Sequence, residues 1–137
     1  MTQNSSLRDG NSVTQKSGPA DPWPTELRLN ANKDTLNVAF TDGTSAAFPA
    51  EFLRVVSPSA EVQGHSPAER KLVPGKRSVL IRAIEPVGNY AVRLVFADGH
   101  NTGIYSWAYL HEIARKQEGL WSTYLQELAA AGLSRDR

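Results

Sequence analysis

The string Phe40-Thr41-Asp42-Gly43-Thr44 returns as Phe96-Ala97-Asp98-Gly99-His100, and the segments that follow echo one another too. Phe48-Pro49-Ala50-Glu51-Phe52-Leu53-Arg54 lines up with Tyr105-Ser106-Trp107-Ala108-Tyr109-Leu110-His111. Asp-Gly is a tight-turn pair, because glycine accepts positive φ. Each copy therefore reads as a hairpin leading into a helix. Either a structural repeat or the recurrence of a stable supersecondary form accounts for the match. In both cases His100 falls at a turn.

The flanking segments agree with this reading. Glu26 to Asn30 and Thr35 to Phe40 alternate polar and apolar residues, as half-buried strands do, and Ser45 to Phe48 completes a meander. Pro49 suits the first position of a short helix ending at Arg54. Ser57 reads as the cap of a second short helix, with Pro58 behind it and Gly64 at its end. Sheet resumes over Ser78 to Glu85, Tyr90 to Phe96 and Asn101 to Tyr105. Ser106 caps a helix carrying Trp107, Leu110, Ile113 and Ala114 at helical spacing; Gly119 interrupts it, and a last helix runs from Trp121 to Ala131, ending at Gly132. The expected class is α+β: two antiparallel hairpin or meander units, each leading into a helix, plus a C-terminal helix. Residues 1–20 carry almost no large apolar side chains and read as a disordered arm, 21–118 as the domain, and 119–137 as a helical extension.

Composition narrows the partners. A net charge of +1, from 15 basic and 14 acidic residues, gives no electrostatic footprint for nucleic acid. Arg70-Lys71 and Lys76-Arg77 bracket Pro74-Gly75, as solvated loop charge or as a small anion or partner patch. No apolar run is long enough for a membrane span. The chain has no cysteine, which removes disulfides, thiolate ligands and thiol nucleophiles and fits a cytoplasmic location.

Phe52 to His65, together with Gly103-Ile104-Tyr105-Ser106-Trp107-Ala108-Tyr109-Leu110, resembles the N-terminal domain of gamma-butyrobetaine hydroxylase-like proteins, over roughly Trp23 to Gln117. The module also occurs alone as a small bacterial protein. In some relatives the segment looks like Cys-x-Cys-x-x-Cys, with a downstream histidine completing a zinc site. The matching positions here are Ser57, Ser59 and Val62, with His100 kept, so the resemblance implies that this zinc centre is absent. The iron site of the full hydroxylases lies in a separate oxygenase domain, so their activity does not carry over. Similar domains joined to Mrp-type P-loop ATPases imply a protein partner of that class and an accessory role in iron-sulfur cluster assembly or delivery.

The leading expectation is thus a non-catalytic interaction module. Its candidate contact residues are Arg54, Gln63, His65, Tyr105 and Trp107, the aromatic group serving as core or as an exposed anchor. The alternative is a small iron- or zinc-binding protein using His65, His100 or His111 with Glu61 or Asp98, of which His65, His100 and Asp98 are the first candidates. No Gly-x-Ser-x-Gly elbow, Walker loop or dinucleotide fingerprint occurs. Ser57 and Ser59 near His65 suggest a nucleophile and base, but helix capping explains the same residues.

Overall fold

In β2 (Thr35–Phe40) and β5 (Ala91–Phe96) every second side chain points inward, and both strands are the middle of a three-stranded antiparallel sheet. One sheet has the order β1 (Pro24–Leu29), β2, β3 (Ser45–Pro49), and leads into α1 (Ala50–Val55). The α2 turn (Ala60–Gln63) follows. The other sheet has the order β4 (Ile81–Val87), β5, β6 (Ile104–Ser106), and leads into α3 (Trp107–Ala131). The computed structural model describes residues 22–64 and 69–136, so the expected arm over 1–20 and His65 lie outside the described residues. Among the described residues no helix is long and apolar enough to cross a membrane.

The echo in the sequence is a repeat of hydrogen bonds. At the first turn Phe40 N–H donates to Thr44 O and Gly43 N–H to Phe40 O; at the second, Phe96 N–H donates to His100 O and Gly99 N–H to Phe96 O. Gly43 and Gly99 both have positive φ, at 89° and 97°. The first strand of each sheet carries an irregularity at the same place, after Pro24 and after Ile81. Ala50 N–H, opening α1, donates to Asp34 O, and Trp107 N–H, opening α3, donates to Tyr90 O.

The units share one core. Leu36, Val38 and Phe40 from β2 meet Val92, Leu94 and Phe96 from β5, and Phe48, Phe52, Leu53, Tyr105, Leu110 and Ile113 complete the cluster. The units also exchange side chains at their edges. Asp42, in the first turn, takes His111 of α3 at 2.8 Å, while Asp98, in the second, takes Arg54 of α1 at 2.9 Å. Since Asp42 matches Asp98 and Arg54 matches His111, these two contacts are one contact made twice, the pattern of an isologous pairing within a single chain.

Several boundaries differ from the sequence reading. Pro49 is the N-cap of α1 rather than its first residue, with extended ψ of 144°. Ser59, not Ser57, caps α2: its side chain accepts the N–H of Glu61. β4 begins at Ile81: Ser78 belongs to a turn in which Val79 N–H donates to Lys76 O, and Val79 and Leu80 precede the strand. Gly119 does not break the last helix: α3 runs unbroken through it to an αL cap at Gly132. Leu120 and Trp121, packed on the core just beyond Gly119, outweigh its cost of roughly 1 kcal/mol relative to alanine.

Past α3 the chain folds back. Ser134 O accepts Gly75 N–H and Arg135 O accepts Arg77 N–H, while the Arg135 guanidinium grips the buried Glu51 at 2.7 and 2.8 Å and covers the Trp121 ring. Replacing Gly119 by alanine meets open space in the helix. The Gly119→Ala chain should be more stable by about 0.5 to 1 kcal/mol, seen as a rise of a few degrees in thermal midpoint. A fall would show that the helix breaks at this residue.

Candidate functional site

Pro58 decides where the site forms. A residue before proline is pushed out of the α region, so α1 stops at Val55, with Val56 as its cap. The matching place in the second unit is Ala114-Arg115, where no proline intervenes and α3 continues. Freed from the helix, Ser57 and Ser59 turn against the β5–β6 loop.

Two rungs join them. Ser57 Oγ lies 2.9 Å from His100 Nε2, and Ser59 Oγ lies 2.6 Å from Thr102 Oγ1. The other imidazole nitrogen, Nδ1, is 3.1 Å from Glu61 Oε1. Ser57 Oγ also accepts Ser59 N–H, and Gln63 Nε2 donates to Ser57 O. All of these groups are satisfied when Nδ1–H donates to Glu61 and Ser57 O–H donates to Nε2. The approach is close enough to demand glycine at 103, where a Cβ would stand 2.5 Å from Ser57 Oγ.

Charge surrounds this cluster. Asp98 Oδ1 accepts His100 N–H, while Oδ2 holds both Arg54 and Lys76, at 2.9 and 2.7 Å. Burial alone would raise the Asp98 pKa, but the Lys76 ammonium, the His100 amide and Arg54 outweigh it and bring it down to about 2. His100 is harder to protonate than usual, first because it is buried and second because Arg54 is near; Glu61 and Asp98 pull the other way. Asp42 is also lowered to about 2, chiefly by Thr44 N–H and then by His111.

The zinc site implied by the resemblance does not fit these residues. Ser57 and Ser59 are neutral hydroxyls engaged with other groups, and Val62 is buried and apolar. Among the described residues the alternative centre is not assembled either, and His65, its remaining candidate, lies outside them. His111 sits with Asp42, Asp98 is taken by two cations, and the His100 ring pairs with Glu61. Among the described residues no group of three or more metal-ligating side chains comes together. The Ser57–His100–Glu61 chain has the connectivity of a hydrolase relay, yet Ser57 is 0% exposed and a substrate carbonyl has no path to it.

The expected contact residues are only partly available. Tyr105 is not a surface anchor: it is wholly buried, its hydroxyl donates to Leu53 O, and burial pushes its pKa up. Trp107 is half-buried, with its indole N–H on Asn89 O. Arg54 is held by Asp98, and Gln63 reaches back to Ser57 while lining a cavity of about 260 Å³ with Arg70, Tyr109 and Glu127. In the basic loop, Arg70, Lys76 and Arg77 pair with Glu127, Asp98 and Asp136, so most of its charge is neutralised. Sequence reading missed Thr102 and Gly103; the turn-forming run from Asp98 to Gly103 was the available signal.

A family model described as gamma-butyrobetaine hydroxylase-like, N-terminal, matches residues 27–111. Two NMR solution structures are each 46% identical: one has a TM-score of 0.73, covering 83% of this chain and 90% of its own, the other 0.72, covering 89% and 91%. A crystal structure at 1.93 Å resolution, of a protein with unknown function in the DUF971 family from Acidithiobacillus ferrooxidans, is 37% identical with a TM-score of 0.56, covering 67% of this chain and 92% of its own. No curated protein matches the chain.

The buried imidazole makes stability depend on pH with a fixed sign. Because folding lowers the His100 pKa from 6.5, the unfolded chain takes up the proton first as pH falls. This contribution is full above that value and is lost below it, until the folded ring itself protonates. The urea midpoint should therefore drop more between about pH 8 and about pH 5 for the native sequence than for His100→Gln. Equal slopes would contradict the assignment.

Proposed function

The chain belongs to the gamma-butyrobetaine hydroxylase-like N-terminal family, and on that premise we propose that it is a non-catalytic binding module that docks on a protein partner. The observation that carries this reading is the closure of the Ser57–His100 pair. A serine without exposed surface offers nothing to a substrate, whereas Glu61, Asn101 and Thr102 around it face outward. This rim displays a carboxylate beside neutral hydrogen-bonding groups and suits a polar protein surface better than an apolar one.

The role we assign to the module is accessory, in iron-sulfur cluster assembly or delivery, with an Mrp-type P-loop ATPase as partner. Its support is the resemblance to domains joined to such ATPases. The sealed serine and the absence of an assembled ligand group among the described residues favour docking over chemistry or cargo binding at this rim.

The test is capture of a purified Mrp-type ATPase by the immobilised protein. The native sequence should retain the ATPase, and Asn101→Lys should weaken capture by about tenfold or more while leaving the thermal midpoint within a few degrees. No capture by the native sequence rejects the partner; undiminished capture by Asn101→Lys rejects the surface.

A further inference from the structure

Ser57 and His100 are 43 residues apart in the chain, as are Ser59 and Thr102. The two bonds are therefore successive rungs between segments running side by side. In extended backbone, residues two apart share a face, and Ser59 is extended, with φ of −62° and ψ of 144°. The rungs close over Gly103, whose missing Cβ leaves room for Ser57 Oγ. Both Ser57 and His100 are buried, so this bond is made away from competing water.

We infer that the joint between the two units is closed here by a metal-free clasp, in which direct hydrogen bonds stand where the resemblance places a zinc centre. Distance and charge carry the inference. Tetrahedral zinc with nitrogen or oxygen ligands at about 2.0 to 2.1 Å holds neighbouring donors about 3.3 Å apart. Ser57 Oγ and His100 Nε2 are 2.9 Å apart, which leaves no place for an ion bound by both. The imidazole nitrogen facing Ser57 accepts a hydrogen bond from its hydroxyl instead. No thiolate charge is present to balance a dication, and Val62, at the third thiolate position, adds an apolar side chain to the interior. Cross-linking in this chain comes from neutral, directional bonds, which need no metal loading to form.

The proposal makes a demand that a merely buried serine does not. Each rung should show coupling in a double-mutant cycle: Ser57→Ala with His100→Gln for the first, Ser59→Ala with Thr102→Val for the second, each pair differing from additivity by about three- to tenfold in the unfolding equilibrium constant. Thr102 is exposed, so the second cycle stays measurable if the buried pair tolerates substitution poorly. In parallel, full-length protein prepared in zinc-supplemented medium should carry far less than one zinc per chain, and its thermal midpoint should not move on chelation by EDTA. One zinc per chain, a midpoint that falls on chelation, or strict additivity in both cycles would overturn the clasp. None of these outcomes depends on whether an ATPase partner is captured.

Discussion

Asp42 and Asp98 each fix the turn of one unit and then reach the helix of the other. Within its own turn each carboxylate accepts a backbone N–H two residues on, from Thr44 and from His100. The remaining oxygen crosses to His111 or to Arg54. Such partly exposed pairs add little to stability, since solvent screens them. What they supply is register. Energy comes from the apolar surface of β2 and β5, which together bury six large side chains in one core. Once the turns are held, matching residues of those two strands enter one core, and the chain behaves as a pair of like units docked within itself.

The candidate site is where this likeness ends. Pro58 stops α1 after six residues, whereas α3, with arginine at the matching place, continues for 25. The second helix goes on to bury Tyr124 and Leu128 against Val55, Leu72 and Val73, and its tail returns to clamp Glu51 through Arg135. The first unit instead delivers two serines to the loop of the second. A single proline thus separates a supporting helix from a loop with hydrogen-bonding groups, and the buried polar cluster of Ser57, Ser59 and His100 lies at that divergence.

Much of the fold was legible because it rests on local rules. Alternation gave β2 with both ends correct, Asp-Gly gave both turns, and Ser106 was read as the cap whose hydroxyl takes Tyr109 N–H. Gly119 misled because helix propensity is weaker than the packing of Leu120 and Trp121, which a local reading does not weigh. Ser57 and Ser59 both fit a cap by sequence, and only the distant His100 separates them, leaving the cap role to Ser59. The pairing of Asp98 with Arg54 and Lys76 was equally hidden, since residues 44 and 22 positions away reach it through the fold. Long-range hydrogen bonds made the site, and no spacing in the chain encodes them.

Native-state hydrogen exchange tests the central claim, that the reciprocal turns and shared core make the two units one cooperative body. The amides of Leu36 and Val38 in β2 should open with the same free energy as those of Val92 and Leu94 in β5, and Asp98→Asn should lower both sets together. If β5 loses protection while β2 keeps its own, the units are stable separately and the account of their mutual dependence fails.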